Sequence, residues 1–442
     1  MSTPISRRAA AWRTAVTVVT AVATAVAMSG CRSDAPETQQ GAEGVKFDVG
    51  VTKEPCPEAV DKAKGCIYLG IISDLTSGPF KALAVPITES QKLFWKRVNT
   101  DGGIGGFEVD VTKYIKDNKY DPQVHSQVYQ EIKPNVLALA QTLGSPQTAA
   151  ILPDLKSSGM VAAPASWTSA WAFEDNILES GTNYCFEAMN SVDYAVETFK
   201  PKTVAAVHYP GDYGDDGAAG AKIAAEANGL TFTDIPTTPG QENQAAAVTK
   251  LVTAKPDLVI LTTAPAEAAA IVGGAAQAGF KGKVIGTSPT WNPALLKSPA
   301  APALQALYLQ SGPWAPYGTD TPGHKAMREA VGDAFKSGPS DGWTAGWIWQ
   351  YPMKAALTQA VADKDLTRAG LLKAVKALQT VDYEGMLPTE AGKYSGEPGQ
   401  RVFRQSLISK PDASAPTGVT VQKELFTGPT AEKYDFTKPC FK

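Results

Sequence analysis

The chain has 442 residues, 43% of them hydrophobic, with 41 basic and 44 acidic side chains and a formal net charge of −3. This length and hydrophobic content are enough for a large water-soluble core of two domains. Because the chain is mildly acidic and has no basic block, we expect no nucleic-acid partner.

The N-terminus has the pattern of a bacterial secretory signal. Arginines within the first 13 residues precede an apolar run at 15–27, which ends in Met-Ser-Gly-Cys at Cys31. The small residues before Cys31 resemble a lipobox, in which the cysteine becomes the lipid-modified first residue. The run is shorter than the ~20 residues of a membrane span. We therefore expect a signal peptide at 1–30, lipidation of Cys31 and a lipid-anchored location outside the cell membrane, with the export route, Sec or twin-arginine, left open.

Four cysteines remain after Cys31: Cys56, Cys66, Cys185 and Cys440. An even number in an exported protein predicts disulfides, and four cysteines allow three pairings. Because Cys56 and Cys66 flank a short segment, we favour Cys56–Cys66, which leaves Cys185–Cys440. A zinc site is not favoured, because there is no C-x-x-C motif and the three histidines are far apart in sequence.

The polar segment at 31–55 predicts a flexible tether, and the apolar run at 67–72 predicts a buried parallel strand. Further strands are predicted at 107–116, 160–164, 203–209, 230–235, 258–263 and 284–287. Helices are predicted at 86–99, 122–132, 146–157, 217–228, 244–254, 266–279, 324–335, 344–361 and 367–378. Alternating strands and helices indicate an α/β fold with parallel sheets, and their number favours two doubly wound lobes.

The sequence has no catalytic motif that fits its context. The glycine cluster at 102–106 follows a helix and precedes a strand, which indicates a turn and not a dinucleotide-binding loop. The adjacent acids at 174–175 and 215–216 are typical of a solvated turn or a helix N-terminus. We therefore expect no enzyme, no cofactor and no metal. The alternative is a secreted hydrolase. Turnover of a bound ligand by the purified protein would establish it.

Several segments occur in the order and spacing of one known family. They are GIISDLTSGP at 70–79, NTDGGIGG at 99–106, DP at 121–122, LGS at 143–145, APAS at 163–166, VH at 207–208 and DYG at 212–214. Together they resemble the branched-chain amino-acid-binding proteins, the class I solute-binding receptors of ABC importers. The resemblance covers most of residues 67–387.

The resemblance implies a class I periplasmic binding protein fold, with two Rossmann-like lobes, parallel sheets and a three-segment hinge. The implied crossovers lie near 189–190, 309–310 and 384–385. Lobe 1 would comprise 56–189 and 311–384, and lobe 2 would comprise 190–310 and 385–442. A ligand would bind between the lobes, which close by hinge bending.

The resemblance also implies a set of ligand contacts. Gly144 and Ser145, at the start of a helix, would bind a carboxylate. The Ala165 backbone and Ser166 would add polar contacts, and Tyr213 would reach in from the second lobe. The alternative for Ser145 and Ser166 is helix capping or turn chemistry.

Two departures from the family change the expected ligand. Amino-acid binders of the family have a threonine just after the Pro-Ala pair, where this chain reads Ser166-Trp167-Thr168. They also hold the ligand ammonium with a glutamate in the loop that corresponds to 286–291, which has no acid here. A buried ammonium without a counter-charge is costly. Ser288 in this loop and four aromatic residues are the remaining candidates: Phe80, Trp167, Trp291 and Trp343. Trp347 and Tyr351 follow Trp343 at helical spacing, and we assign them to the core.

These observations predict a solute-binding lipoprotein of an ABC importer, with a small aromatic or branched carboxylate or amide as ligand. The expected partners are this ligand, the permease subunits and the membrane through the lipid. A sensory or structural receptor without an importer is one alternative. A branched-chain amino-acid binder is another, if an acid from elsewhere, such as Glu267, holds the ammonium.

Overall fold

The structure, a computed structural model, describes residues 39–40 and 44–441, which belong to one unit, Thr38–Lys442. The predicted signal peptide and Cys31 lie outside the described residues. Within the described part of the chain, no helix combines the length and the apolar character needed to cross a membrane.

The strands alternate with helices along most of the chain. The strands are β1 (Gln39–Gln40), β2 (Lys46–Phe47), β3 (Val51–Thr52), β4 (Gly65–Ser73), β5 (Phe107–Asp110), β6 (Ile115–Asp117), β7 (Ala138–Leu143), β8 (Ala162–Ala165), β9 (Thr203–His208), β10 (Thr231–Pro236), β11 (Leu258–Thr262), β12 (Lys283–Gly286), β13 (Tyr308–Gly312), β14 (Asp365–Leu366), β15 (Ser406–Pro411) and β16 (Val419–Phe426). The helices are α1 (Lys81–Thr100), α2 (Pro122–Ile132), α3 (Ser145–Ser157), α4 (Tyr184–Thr198), α5 (Asp212–Ala227), α6 (Ala245–Ala254), α7 (Pro265–Gln277), α8 (Ala301–Leu307), α9 (Pro322–Val331), α10 (Ala334–Ser337), α11 (Gly342–Ile348), α12 (Gln350–Ala362), α13 (Arg368–Ala377), α14 (Pro398–Arg401) and α15 (Pro429–Lys433).

The first lobe is built on β4, which is buried along its whole length. Its sheet has the order β3-β4-β7-β8, and β5 and β6 also pair with β4. The pairs of β4 with β7 and of β7 with β8 are parallel, and Leu143 lies opposite Ala165 in the register. The ends of β7 and β8 therefore place the residues that follow them side by side.

The second lobe has a seven-stranded sheet in the order β10-β9-β11-β12-β13-β15-β16. The first five strands are parallel, and the last two are antiparallel to their neighbours. Helices α4 and α5 cover part of this sheet, and they approach closely at Gly220, where a Cβ would lie 2.1 Å from the Cys185 carbonyl oxygen. The mostly parallel strand pairing in both lobes confirms the predicted fold class.

The crossovers between the lobes lie at other positions than predicted. Helix α4 packs in the core of the second lobe, so the first crossover precedes Tyr184 and does not lie at 189–190. Strand β13 stays in the second sheet to Gly312, so the second crossover follows that residue. Phe403 still belongs to the core of the first lobe, so the third crossover lies just before β15 and not at 384–385.

The predicted flexible tether at 31–55 is wrong for its later part. Val45, Phe47 and Val51 are buried in the core of the first lobe, and β2 pairs with β14. These apolar residues alternate with polar ones, which is the pattern of a half-buried strand. The described chain is therefore ordered from this alternation onward.

Both predicted disulfides, Cys56–Cys66 and Cys185–Cys440, are present in the structure. They join residues 10 and 255 positions apart, respectively. The second bridge ties the C-terminal segment to α4. Some elements differ from the prediction: the strand predicted at 107–116 is split into β5 and β6, α1 begins at Lys81, and β7, β13, β15, β16 and α4 were not predicted.

Candidate functional site

The carboxyl ends of parallel strands from both lobes meet at one cavity. In the first lobe, β7 and β8 lead into Gly144 and Ser166, and in the second lobe β12 leads into the loop that contains Ser288. Crevices at this edge of parallel sheets are the usual position of ligand sites in α/β proteins. The connectivity of the two sheets thus places loops from both lobes around one space.

The cavity encloses about 730 Å³ of space outside protein atoms, including solvent at its mouth. Nine of the ten residues predicted as ligand contacts line it: Phe80, Gly144, Ser145, Ala165, Ser166, Trp167, Tyr213, Ser288 and Trp291. The structure therefore brings together residues that are up to 211 positions apart in the chain.

Trp343 does not line the cavity, so its prediction as a cavity residue is not supported. Its indole Nε1 donates to the Gly338 carbonyl at 2.9 Å, and its own carbonyl accepts from the Ser90 hydroxyl. Trp347 and Tyr351, which we assigned to the core, are buried beside the ring of Phe94 at centroid distances of 5.2 and 5.1 Å. All three side chains serve the core of the first lobe.

Aromatic rings form a continuous wall at the cavity. The ring centroid of Trp167 lies 4.8 Å from Trp349, 5.1 Å from Trp314 and 5.7 Å from Tyr184. Tyr184 in turn contacts Tyr213 at 4.7 Å. Such packed rings offer a large apolar surface with defined geometry. The wall is suited to an apolar or aromatic ligand body.

The polar ends of several cavity residues are engaged by the protein. The indole Nε1 of Trp167 donates to the Ser180 carbonyl at 2.8 Å, and that of Trp291 donates to the Thr417 carbonyl at 3.1 Å. The Tyr213 hydroxyl donates to the Thr263 carbonyl at 3.0 Å, and burial raises the pKa of this phenol well above its ordinary value. Tyr213 is therefore a neutral residue held in one orientation.

The two predicted serines differ in their surroundings. Ser145 begins α3 after Gly144, whose φ of +99° favours glycine, and the Ser145 hydroxyl is buried without a hydrogen-bond partner. The Ser166 hydroxyl instead accepts from the Trp171 indole at 3.1 Å. The Ser166 oxygen is thus engaged by Trp171, whereas Ser145 has an unused hydroxyl at a helix N-terminus.

Among the described lining residues there is one ionisable carboxylate, Asp341, and no lysine, arginine or histidine. Burial raises the pKa of Asp341 to about 6, although the Tyr317 backbone N–H donates to it at 2.8 Å and lowers the pKa in part. Because this pKa lies below neutral pH, Asp341 is largely ionised there and gives the cavity wall one negative charge.

Two buried glutamates lie outside the lining. Glu187 Oε1, on α4, accepts from the Ser288 backbone N–H at 2.7 Å and from the Ser311 hydroxyl at 2.5 Å. Burial raises the pKa of Glu187 to about 7. Glu267, which we considered for an ammonium, accepts from the Gly240 N–H at 2.8 Å and does not line the cavity. Glu187 therefore does not face the cavity itself but holds the backbone of Ser288, which does.

Residues 67–407 match the family model described as periplasmic binding protein. The chain belongs to the periplasmic binding protein family. Among curated proteins none matches the chain significantly.

Solved structures of other periplasmic binding proteins share this fold. A fatty acid ABC transporter substrate-binding protein from Thermomonospora curvata is 30% identical, with a TM-score of 0.83 over 91% of this chain and 100% of that chain. A branched chain amino acid ABC transporter from Thermus thermophilus with bound valine is 17% identical, with a TM-score of 0.69 over 84% and 98% of the chains. A leucine-binding protein from Thermotoga maritima is 15% identical, with a TM-score of 0.67 over 80% and 97%.

The sequence prediction missed several cavity residues of this periplasmic binding protein. They are Leu83, Ile87, Tyr120, Leu143, Tyr184, Pro289, Pro293, Gln310, Trp314, Asp341, Gly342, Ala345 and Trp349. Tyr184 and Trp314 were missed because α4 and β13 were not predicted. The tryptophan-rich stretch around Trp349 was an available signal, but its spacing alone does not show which ring faces the cavity.

Proposed function

We propose that this periplasmic binding protein is an extracytoplasmic lipoprotein that delivers a small carboxylate or amide with an apolar body to an ABC importer. The main support for this proposal is the cavity wall, which combines packed aromatic rings with one carboxylate and no cationic side chain among its described residues. Apolar walls with a few polar groups are typical of small-molecule sites. The nine predicted contacts that line this cavity are proposed as ligand-binding residues.

The cavity lacks the acid with which amino-acid binders of the resembling family hold an ammonium. The loop at 286–291 has no acid, and Glu267 does not line the cavity. A buried ammonium would therefore depend on Asp341 alone. This carboxylate is the observation that favours the second candidate, a branched-chain amino-acid binder, because an ionised Asp341 would compensate the ammonium charge.

The similarity to the Thermomonospora curvata protein supports the same ligand class. That protein is named a fatty acid ABC transporter substrate-binding protein, and its sequence is 30% identical to this chain. A fatty acid is a carboxylate with an apolar body. Linear acyl carboxylates therefore join the aromatic and branched acids as candidate ligands.

A binding screen tests this proposal. Octanoate, 3-phenylpropionate and 4-methylpentanoate, their primary amides, leucine and valine are added separately to the purified protein. A true ligand at a hundredfold over its Kd stabilises the fold by ~2.7 kcal/mol, which raises the melting temperature. Response to leucine or valine alone would overturn the acid assignment.

In the same assay we expect Trp167→Ala to weaken binding of 3-phenylpropionate by ~1–3 kcal/mol, because its ring forms the cavity wall. Trp343→Ala is the matched control, because it also removes a buried tryptophan but one that does not line the cavity. Equal losses of affinity in the two variants would indicate a general effect of destabilisation.

The membrane anchor is proposed from the lipobox at Cys31. Cys31→Ala is expected to release the protein from the membrane fraction, because one cysteine carries the lipid. Immunoblots of membrane and soluble fractions measure this, with Ser33→Ala as a control that keeps the cysteine. A variant that stays in the membrane fraction would refute lipidation at Cys31. Permease and ATPase genes beside this gene would favour an importer over a sensory receptor.

A further inference from the structure

Two cavity residues have buried polar atoms that the protein leaves without a partner. They are the Ser145 hydroxyl and the Trp349 indole Nε1, in side chains that are 1% and 2% exposed, respectively. Buried polar atoms in folded proteins are almost always hydrogen-bonded. An unpaired donor in a cavity wall is therefore free to bond a ligand or a water molecule in the cavity.

Trp349 differs in this respect from Trp167 and Trp291, which also line the cavity. Trp167 and Trp291 donate their indole N–H groups to the Ser180 and Thr417 carbonyls. Trp167 and Trp291 therefore contribute their aromatic rings to the cavity wall, but no free N–H donor. Trp349 offers the same kind of ring together with an unused donor.

The fold places Ser145 and Trp349 in one region of the cavity. Ser145 follows β7 and Trp167 follows β8, and these strands are paired in register at Leu143 and Ala165. The ring of Trp349 lies 4.8 Å from that of Trp167. Trp167 thus links the two unpaired groups: its strand pairs with the strand that precedes Ser145, and its ring packs against that of Trp349.

The chemistry of the two groups selects the ligand atom. An indole N–H donates and cannot accept, so its partner is an acceptor and not an ammonium. The Ser145 hydroxyl lies at the N-terminus of the 13-residue helix α3, where negative charge is favoured. We infer that Trp349 Nε1 is a further donor to the ligand carboxylate that the family resemblance already assigns to Ser145, with the aromatic wall around Trp167 against the ligand's apolar body. This inference rests on the proposed function.

The test uses Trp349→Phe, which keeps an aromatic ring and removes the N–H group. Binding of octanoate and of 1-octanol is measured by calorimetry for wild type and variant. A hydrogen bond to a charged acceptor predicts about tenfold or greater loss of octanoate affinity, with a much smaller loss for octanol. Trp343→Phe is the matched control, because its N–H is already bonded to the Gly338 carbonyl and its ring does not line the cavity, so its loss should leave the preference for the acid unchanged.

Each result decides between the two proposals. If the wild-type protein binds neither the acids nor their amides, the proposed function falls; if it binds only the amides, the carboxylate contact of Trp349 is refuted. If it binds octanoate and Trp349→Phe keeps the full preference for the acid, the role of Trp349 is refuted and the proposed function stands. Ser145→Ala removes only a hydroxyl and should also reduce the acid preference, which keeps the test decisive if Trp349→Phe does not fold.

Discussion

Replacing Cys185 and Cys440 by alanine is expected to lower the free energy of unfolding by about 2–5 kcal/mol. The bridge joins residues that are 255 positions apart, so it restricts a long loop of the unfolded chain. It also ties the C-terminal segment to α4, next to the hydrogen bond from the Cys440 backbone N–H to the Ser169 hydroxyl at 2.9 Å. Denaturant unfolding followed by circular dichroism measures the loss.

The Cys56–Cys66 bridge provides the matched control, because it closes a loop of only 10 positions. In the chain-entropy model its removal destabilises less, since the stabilisation grows with the length of the closed loop. We therefore expect the Cys185→Ala/Cys440→Ala variant to have the lower unfolding midpoint. A larger loss in the Cys56→Ala/Cys66→Ala variant would show that native-state packing, and not loop length, governs the two bridges.

Much of the fold could be predicted because buried parallel strands have continuous apolar sequences. The run that forms β4 is the clearest case. Strand β7 was missed because Gln141 and Thr142 are buried within it and interrupt the apolar pattern. Gln141 donates to the Ser73 hydroxyl at 2.7 Å, and Thr142 bonds to His125 at 3.0 Å. Such long-range partners satisfy polar groups in a core, but the local sequence gives no sign of them.

Helix α4 was missed for a related reason. Glu187, Asn190 and Asp193 are buried polar residues on it, so it lacks one apolar face. Asn190 accepts from the Gly428 backbone N–H and Asp193 from that of Thr430, both more than 200 residues away. The missing helix displaced the predicted first crossover and concealed Tyr184 as a cavity residue.

The cavity loops were found because the family resemblance locates them at strand ends. The assignment of tryptophans within the helices was less accurate. Trp343 on α11 faces the core, whereas Trp349, between α11 and α12, lines the cavity. Both belong to one aromatic-rich helical segment and are six positions apart, which places them on different faces at 3.6 residues per turn. The helical spacing separates the two faces, but it does not show which one meets the cavity.

The second large effect concerns Glu187, whose carboxylate supports the Ser288 loop. Burial raises its pKa from 4.5 to about 7, so the folded protein keeps this proton up to neutral pH. The unfolded chain releases the proton near the ordinary value of about 4.3–4.5. The stability contribution is therefore full at acidic pH and is lost as pH rises through this window, by an amount on the order of 3 kcal/mol.

Glu187→Gln removes this titration and keeps an oxygen that accepts from Ser288 and Ser311. At pH 5 we expect variant and wild type to have similar unfolding free energies, because the wild-type carboxyl is protonated. At pH 8 the variant should be more stable than the wild type, since no buried charge forms.

Asp341, whose pKa is raised to about 6, also lowers the stability as pH rises, but it is present in both proteins and does not affect their difference. Glu329→Gln, which removes an exposed carboxylate, is the control. A difference between Glu187→Gln and wild type that does not change from pH 5 to pH 8 would show that Glu187 stays ionised in the core, held by its two donors.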